Sequence, residues 1–439
     1  PSPKRKRHGN LTGMIQRTLR SILGQLVRCV PEEFFAWRSS LLSGWTSVAA
    51  AVLLMVGTGT SVVSQTPAGT TPAWAGTHSP WNQPDFFPIG VWLQSPANAG
   101  RYRAAGINTY VGLWKGPTEA QLTALKQAGL YVICDQNKVA LRNLDQSSII
   151  AWMHGDEPDN AQSLGEGRGW GPPIPPAQIV ADYHRLRTAD PTRPVLLNLG
   201  QGVAWDGWHG RGVRSNHPED YPEYLKGCDI ASFDIYPAVH DRPAVAGNLW
   251  FVARGVERLI RWGEGKKPVW TCIECTHISN PARKATPHEV RAEVWMALIH
   301  GARGLIYFVH QFKPRFIEAA LLTDPEMLAA VTALNRQIQE LAPVLNRPTV
   351  ANGVRVQELD PDVPVATIVK RYQGATYLFA VAMRNGATPA TFTIPGFGSG
   401  HPVEVLGENR KLTTKDSRFT DHFKPWDVHL YRLPATPQP

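Results

Sequence analysis

Several large protein classes are excluded by what this 439-residue chain lacks. Its 38 Gly and 37 Pro follow no repeating triplet, so neither a collagen-like rod nor a simple low-complexity segment fits. The first β-rich run continues into VWLQSPANAG without a G-x-G-x-x-G, which removes the usual phosphate turn of an open dinucleotide-binding sheet. No H-E-x-x-H occurs, and no second Cys/His pair follows Cys272 and Cys275 at finger spacing, so nothing in the spacing asks for a metal or any other cofactor. Cysteine is scarce, at five residues, and charged residues are 18% of the chain. A chain this size can bury a large core and needs no dense set of disulfides.

Positive charge is concentrated at one end. Residues 1–44 hold eight Lys/Arg against Glu32 and Glu33, a surplus of +6 out of the total +9, which leaves 37 against 34 in the other 395 residues. A duplex-binding stripe is therefore not expected, and nucleic acid is not a partner. The uncharged run Trp45 to Ser64 follows the basic segment, and Ala73-Trp74-Ala75 offers a small-x-small processing site. That order is the one found in an export signal, with an uncleaved membrane anchor as the alternative, and either places the body of the protein outside the cytoplasm. Residues 1–75 are accordingly set apart as a leader.

From Phe86 to about Asn346, short β-rich runs alternate with helical periodicity. The runs are PIGVW (Pro88 to Trp92), INTYVGLW (Ile107 to Trp114), LYVICD (Leu130 to Asp135), IIAWMHG (Ile149 to Gly155), PVLLNLG (Pro194 to Gly200), DIASFDIY (Asp229 to Tyr236), PVWTCIE (Pro268 to Glu274) and GLIYFVH (Gly304 to His310). Between them lie amphipathic stretches such as Thr118 to Gly129, Pro176 to Asp190, Asn248 to Gly263 and His288 to Ala302, with at most a stunted helix at LRNLDQ. Near-continuous apolar runs are the mark of parallel strands buried on both faces. Eight such units predict an α/β fold, a (β/α)8 TIM barrel over residues 76–346. After Pro348 the texture changes to short alternating strands, which predicts a small C-terminal antiparallel β-sandwich over residues 347–439.

Active sites of such barrels lie at the C-terminal ends of the strands. Strand four ends in His154-Gly155-Asp156-Glu157-Pro158, strand six in Asp234-Ile235-Tyr236-Pro237, and strand seven in Cys272-Ile273-Glu274-Cys275-Thr276-His277. Strand three ends at Asp135 and strand eight at His310. Acidic groups thus gather on one rim. Two glutamates facing each other there, one protonated and one ionised, are what cleavage of a glycosidic bond requires.

A glutamate followed by proline after strand four, a second glutamate ending strand seven, a strand-six segment ending in tyrosine, and the final WMALIHGARGLIYF together resemble the large clan of retaining (β/α)8 glycoside hydrolases, which includes cellulases, β-mannanases, agarases and β-galactosidases. The resemblance spans about 260 residues of barrel, with a C-terminal sandwich as a common appendage. It implies that Glu157 is the general acid/base, Glu274 the nucleophile, and Tyr236 the partner that holds the nucleophile. It departs from the clan at Asp156, where asparagine is usual; the extra negative charge should raise the pKa of Glu157.

The expected activity is that of an exported retaining enzyme cleaving β-linked poly- or oligosaccharides without a cofactor. Long loops at Asn160 to Pro176 and Gln201 to Pro218 offer Trp170, Trp205 and Trp208 as platforms for sugar rings, with Trp92 and Trp114 nearer the barrel floor. Asp135, Asp156, Tyr236, His277 and His310 complete the expected carbohydrate-binding set. Each has a plainer role available in loop or core packing. The competing readings are a barrel that binds polysaccharide without cleaving it and a metal-dependent barrel hydrolase. A monomer or small homo-oligomer, touching a membrane only through an N-terminal anchor, fits the composition.

Overall fold

The computed structural model describes residues 80–434. The export or anchor segment lies outside the described residues. Eight parallel strands close into a barrel: β1 (Ile89–Trp92), β2 (Thr109–Val111), β3 (Tyr131–Cys134), β4 (Ile149–Met153), β5 (Val195–Leu199), β6 (Ile230–Phe233), β7 (Val269–Glu274) and β8 (Gly304–Phe308), with β8 pairing back onto β1. Every residue of these strands except Tyr131 is buried, as expected where helices cover one face and the barrel's own side chains fill the other.

The interior is filled by pairing large with small. Gly304 sits beside Trp270 on the neighbouring strand, where a Cβ would lie 2.4 Å from the indole. Trp81 closes the N-terminal end, its Nε1 donating to Ile150 O at 3.1 Å and its ring 5.9 Å from that of Trp270.

The outer layer contains α1 (Ala99–Ala104), α2 (Glu119–Gln127), the five-residue α3 (Lys138–Arg142), α4 (Pro176–Ala189), the one-turn α5 (Tyr221–Tyr224), α6 (Phe251–Trp262), α7 (Pro287–Ile299) and α8 (Pro325–Leu345). Local chemistry sets their starts. Capping boxes, Thr118 with Gln121 and Thr286 with Glu289, open α2 and α7, and Asp324 accepts from Met327 N at 3.1 Å to open α8. No helix among the described residues is long and apolar enough to cross a membrane.

Eight further strands follow α8. A five-stranded sheet runs β10 (Val365–Tyr372), β11 (Ala375–Ala382), β16 (Val428–Leu433), β13 (Pro402–Val405), β14 (Arg410–Thr413), and a three-stranded one runs β15 (Arg418–Phe423), β12 (Thr388–Thr393), β9 (Arg355–Glu358). Phe392, Phe419, Phe423, Leu378 and Tyr431 fill the space between them, so the unit is a sandwich. The outer face of the larger sheet packs on the barrel, with Phe379 5.1 Å from Trp295 of α7.

Candidate active site

Strand β4 ends at Met153, and four residues later the chain turns sharply at Glu157. Its N–H donates to Asn198 O on β5 at 3.2 Å, and its carbonyl accepts from Asn160 N at 3.1 Å. The turn needs Glu157 at φ +43°, a left-handed conformation that costs a residue with a Cβ about 1–3 kcal/mol. The Glu157 side chain there is 5% exposed.

Its partner there is Asp234, just past the end of β6 and 3% exposed. The two carboxyls are hydrogen-bonded to each other. Two carboxylates cannot hold that bond unless one keeps its proton. Burial, then the charges of Asp234 and Asp156, push the Glu157 pKa well above the ordinary value, as the Asp156 departure led us to expect. Asp234 is also raised, to about 7, mainly by burial, while hydrogen bonds from Glu157 and Tyr236 favour its ionised form. Glu157 therefore carries the proton and donates it, and Asp234 is the carboxylate that accepts.

A polar ring surrounds the pair. Asn198 Nδ2 donates to Asp156 Oδ1 at 3.0 Å, and Asn198 Oδ1 accepts from Ser232 Oγ. Cys272, fully buried on β7, lies against Asn198 Oδ1 and takes its charge environment from Asp234, Asp156 and Glu157. Asp156 itself is only half-buried, so the cluster reaches the surface on that side. Two buried polar atoms remain without ordinary partners. Asn160 Nδ2 has no acceptor, its Oδ1 being fixed by Trp208 Nε1 at 2.8 Å, and Asp234 Oδ1 has no donor of its own, the Asp234 carboxyl being held by Glu157 and Tyr236.

Glu274 departs from the expected arrangement. Rather than facing Glu157 across the rim, it is 0% exposed, with one oxygen accepting from Ala238 N at 2.5 Å and the other from Val239 N at 2.9 Å. Its carboxyl partner is Glu293 of α7, which is also 0% exposed and whose oxygens have no donor of their own. Burial and the Glu274 charge hold the Glu293 pKa well up, so Glu293 keeps the proton and gives it to Glu274. Burial raises Glu274 as well, to about 7. A carboxylate saturated by two backbone amides and sealed in packed protein is not placed to attack a sugar. Tyr236 likewise serves Asp234 rather than Glu274. The segment from Asp234 to Val239 touches both carboxyl pairs, as does β7 through Cys272 and Glu274.

The remaining expected residues divide by exposure. Trp92 and Trp208 are 4% exposed and pack rather than present a face. Trp114 and Trp205 are half-buried, and Trp170 stands 45% exposed. Asp135 is exposed. His310 is 1% exposed; its Nε2 accepts from Gln94 Nε2 at 3.1 Å, it stacks near Phe312 and Phe316, and burial lowers its pKa to about 4. His277 donates from Nδ1 to carbonyls of Asn280 and Arg283, tying its own loop, and lines a cavity of about 330 Å³ with Lys284, Gln311 and Asp324.

The two long loops brace one another. Ala161 N donates to Gly210 O at 2.8 Å, and the buried Arg211 donates to Asp159 O at 3.2 Å, His217 O at 2.8 Å and Asp220 Oδ2 at 2.7 Å. Asp159 in turn accepts from Gly200 N at 2.9 Å and Tyr221 Oη at 3.0 Å. Within the first loop, the turn Ser163–Gly169 closes on itself through Leu164 N to Gly169 O at 3.0 Å. Sequence reasoning placed Asp234 on the rim without a role and missed Asn160, Asn198 and Glu293. Asp234 ends a strand just as Glu157 and Glu274 do, which was a usable signal; Glu293 sits mid-helix and gave none.

Among the described residues, no group of three or more His, Cys, Asp or Glu is arranged to hold a metal ion. No family model matches the chain, and no curated protein matches it. Solved structures to which the chain is similar include AmyP in complex with maltose, at 8% identity and a TM-score of 0.47 over 81% of this chain and 98% of that one. A glucosidase from Croceicoccus marinus matches at 12% identity and 0.43 over 80% and 95%. An endoxylanase from Clostridium papyrosolvens matches at 10% and 0.42 over 80% and 96%. The assignment of the fold rests on the closed barrel itself.

Proposed function

We propose that this protein is a glycoside hydrolase in which Glu157 is the general acid and then the general base. The observation that carries the reading is the buried Glu157–Asp234 pair at the C-terminal rim of the barrel. A leaving alkoxide needs a proton at neutral pH, and a carboxyl acid can supply one only if its pKa is raised. Glu157 meets that need: burial and two neighbouring carboxylates hold its proton, and Asp234 orients it. Once the proton is given away, the same repulsion makes Glu157 a competent base for water. Trp170 and the half-buried Trp114 and Trp205 supply apolar faces of the kind that stack on sugar rings.

The expected chemistry of net retention on a β-linked sugar stays in this reading; Glu274 as its nucleophile does not, because its oxygens are occupied and buried. Action outside the cytoplasm also stays, supported by the basic-then-apolar order of residues 1–64. A panel of aryl glycosides and polysaccharides tests the activity, with Glu157→Gln as the control. Turnover that disappears in a folded Glu157→Gln protein supports the reading. Turnover that survives the substitution, or none on any glycoside, sinks it.

A further inference from the structure

We infer that Asn160 is a positioning residue for the acid: its Nδ2 takes hold of the Glu157 carboxylate once that group has given its proton to the leaving oxygen. The inference rests on the glycoside hydrolase reading and adds a second group to the working of the same acid.

Hydrogen bonding fixes which way the Asn160 amide faces. Trp208 Nε1 carries a hydrogen and can only donate, so the amide atom 2.8 Å from it has to be the oxygen. Nδ2 is thereby turned away from Trp208. The backbone of the same turn is held as well. Asn160 N donates to Glu157 O at 3.1 Å, and Gln162 Nε2 donates to Asn160 O at 2.7 Å and to Glu157 O at 3.2 Å. Acid and amide thus belong to one braced turn.

Nδ2 is a donor left over. It is buried and has no acceptor, in a residue that is 4% exposed, and buried N–H groups are rarely left unmatched. Sealed from solvent, it is out of reach of a substrate hydroxyl, so its acceptor has to come from the protein. Gly200 locates that acceptor. The three atoms nearest the point where a Gly200 Cβ would stand are Asn160 Nδ2 at 2.8 Å, Asn160 Oδ1 at 2.9 Å and Glu157 Oε1 at 2.9 Å. Amide and carboxyl therefore lie side by side over the bare glycine, and a side-chain rotation closes an N–H···O bond between them.

Charge decides when that bond forms. The titratable groups facing Glu157 are Asp234 beyond β6, Asp156 and Asp159 in its own turn, and Cys272 on β7, and none of them can bring positive charge. Asn198 Nδ2 is spent on Asp156 Oδ1 at 3.0 Å, and Asp159 holds Gly200 N and Tyr221 Oη. A protonated Glu157 is neutral and draws a further donor weakly. As the glycosidic bond breaks, the bonding electron pair stays on the leaving oxygen, which takes the Glu157 proton, and a negative charge is left on Glu157 among other acids. An N–H bonded to a charged oxygen is roughly twice as strong as one bonded to a neutral one. An interaction gained as that charge develops, and absent before, raises kcat and leaves KM alone. When water returns a proton to Glu157, the bond relaxes.

The test is Asn160→Leu, which removes the donor at similar volume. Infrared titration of the purified protein follows the Glu157 carboxyl, with Glu157→Gln identifying its band, and kcat and KM are measured on glycosides of one sugar with good and poor leaving groups. The titration midpoint is expected about one pH unit higher in Asn160→Leu, the worth of one hydrogen bond to a charged group, because the ionised form has lost its donor. On the poor leaving group kcat should fall about tenfold, and less on the good one, with KM changed little. Gln162→Ala loosens the same turn without touching the amide; it should lower the melting temperature and leave the midpoint in place. Should Asn160→Leu not fold, Asn160→Ala serves the same titration. An unmoved midpoint in a folded Asn160 variant, or an equal movement in Gln162→Ala, overturns the inference and makes Asn160 a brace of its loop alone, with the hydrolase reading intact. Absence of turnover on every glycoside sinks that reading instead, and the titration still decides whether Asn160 holds the Glu157 carboxylate.

Discussion

Gly200 keeps clear the space that the Glu157 carboxyl occupies. A Cβ on Gly200 would lie 2.9 Å from Glu157 Oε1 and 2.8 Å from Asn160 Nδ2. Real Cβ atoms do not approach so closely, so Gly200→Ala must move the acid. A misplacement on the scale of 1 Å can cost about 100-fold in rate. Gly200→Ala is expected to lower kcat about 10- to 100-fold while costing about 1–3 kcal/mol in stability, the usual range for overpacking. Steady-state kinetics beside a urea titration check it. An unchanged kcat would mean that the position of Glu157 does not matter to turnover.

The Glu274–Glu293 pair makes a separate prediction about pH. Both carboxyls are raised from 4.5, so the folded chain binds their protons more tightly than the unfolded chain does. Stability present below the ordinary value is then lost as pH climbs toward the folded values, through about 7 for Glu274 and further for Glu293. The buried His240 and His310, both lowered to about 4, act in the opposite direction but are silent above about pH 6.5. Between about pH 6.5 and 8.5 this pair therefore contributes a fall in melting temperature, to which the raised Glu157–Asp234 pair adds and which the buried Lys370, lowered to about 7, opposes. In Glu293→Gln the amide donates to Glu274 without needing a proton, so the fall should be shallower. Equal slopes in the two proteins would remove the shared proton from the account.

The barrel was legible because its strands are short apolar runs bounded by turn residues, and all eight fall within the stretches expected for them. In the C-terminal unit β14 and β15 carry the weakest strand signal of their own. RKLT has one apolar residue in four and RFTDHF two in six; both are strands through pairing with β13 and β12 rather than through their own composition. The site was legible only as a rim. Alternation assigns Glu274 to the same side of β7 as Cys272, and Cys272 does lie in the acidic cluster. What captures the Glu274 carboxyl instead is two backbone amides beyond β6 and a glutamate on α7. Backbone N–H groups have no signature in the side-chain pattern, so the exchange of partners from Glu157–Glu274 to Glu157–Asp234 could not be read in advance.

Arg211 is expected to be the brace that the acid loop cannot lose. It is 1% exposed, donates to Asp220 at 2.7 Å and to two carbonyls, and lies 4.8 Å over the ring of Tyr221. Its charge also opposes the effect of burial on Asp159, whose carboxyl holds Gly200 N. Arg211→Met leaves Asp159 buried without that compensation, which should cost about 3–5 kcal/mol. The urea midpoint should drop with the slope unchanged. A loss below about 1 kcal/mol would show that the loops hold without this brace.

Trp170 and Trp208, on the two long loops, should separate binding from folding. Trp170 is 45% exposed, so Trp170→Ala should leave stability within about 0.5 kcal/mol and raise KM for an oligosaccharide about three- to tenfold, the worth of one aromatic contact. Its effect on a short aryl glycoside should be smaller, because that substrate does not extend along the cleft. Trp208 is 4% exposed, and its Nε1 fixes Asn160 Oδ1 at 2.8 Å. Trp208→Ala opens a cavity worth about 3–5 kcal/mol and frees the Asn160 amide to turn, so stability and kcat should fall together on both substrates. The milder Trp208→Phe keeps most of the packing and loses the hydrogen bond; a kcat loss there without a matching drop in melting temperature assigns the effect to the orientation of Asn160. If Trp170→Ala instead lowers the melting temperature and leaves KM untouched, its exposed face is not a platform for sugar and the cleft runs elsewhere.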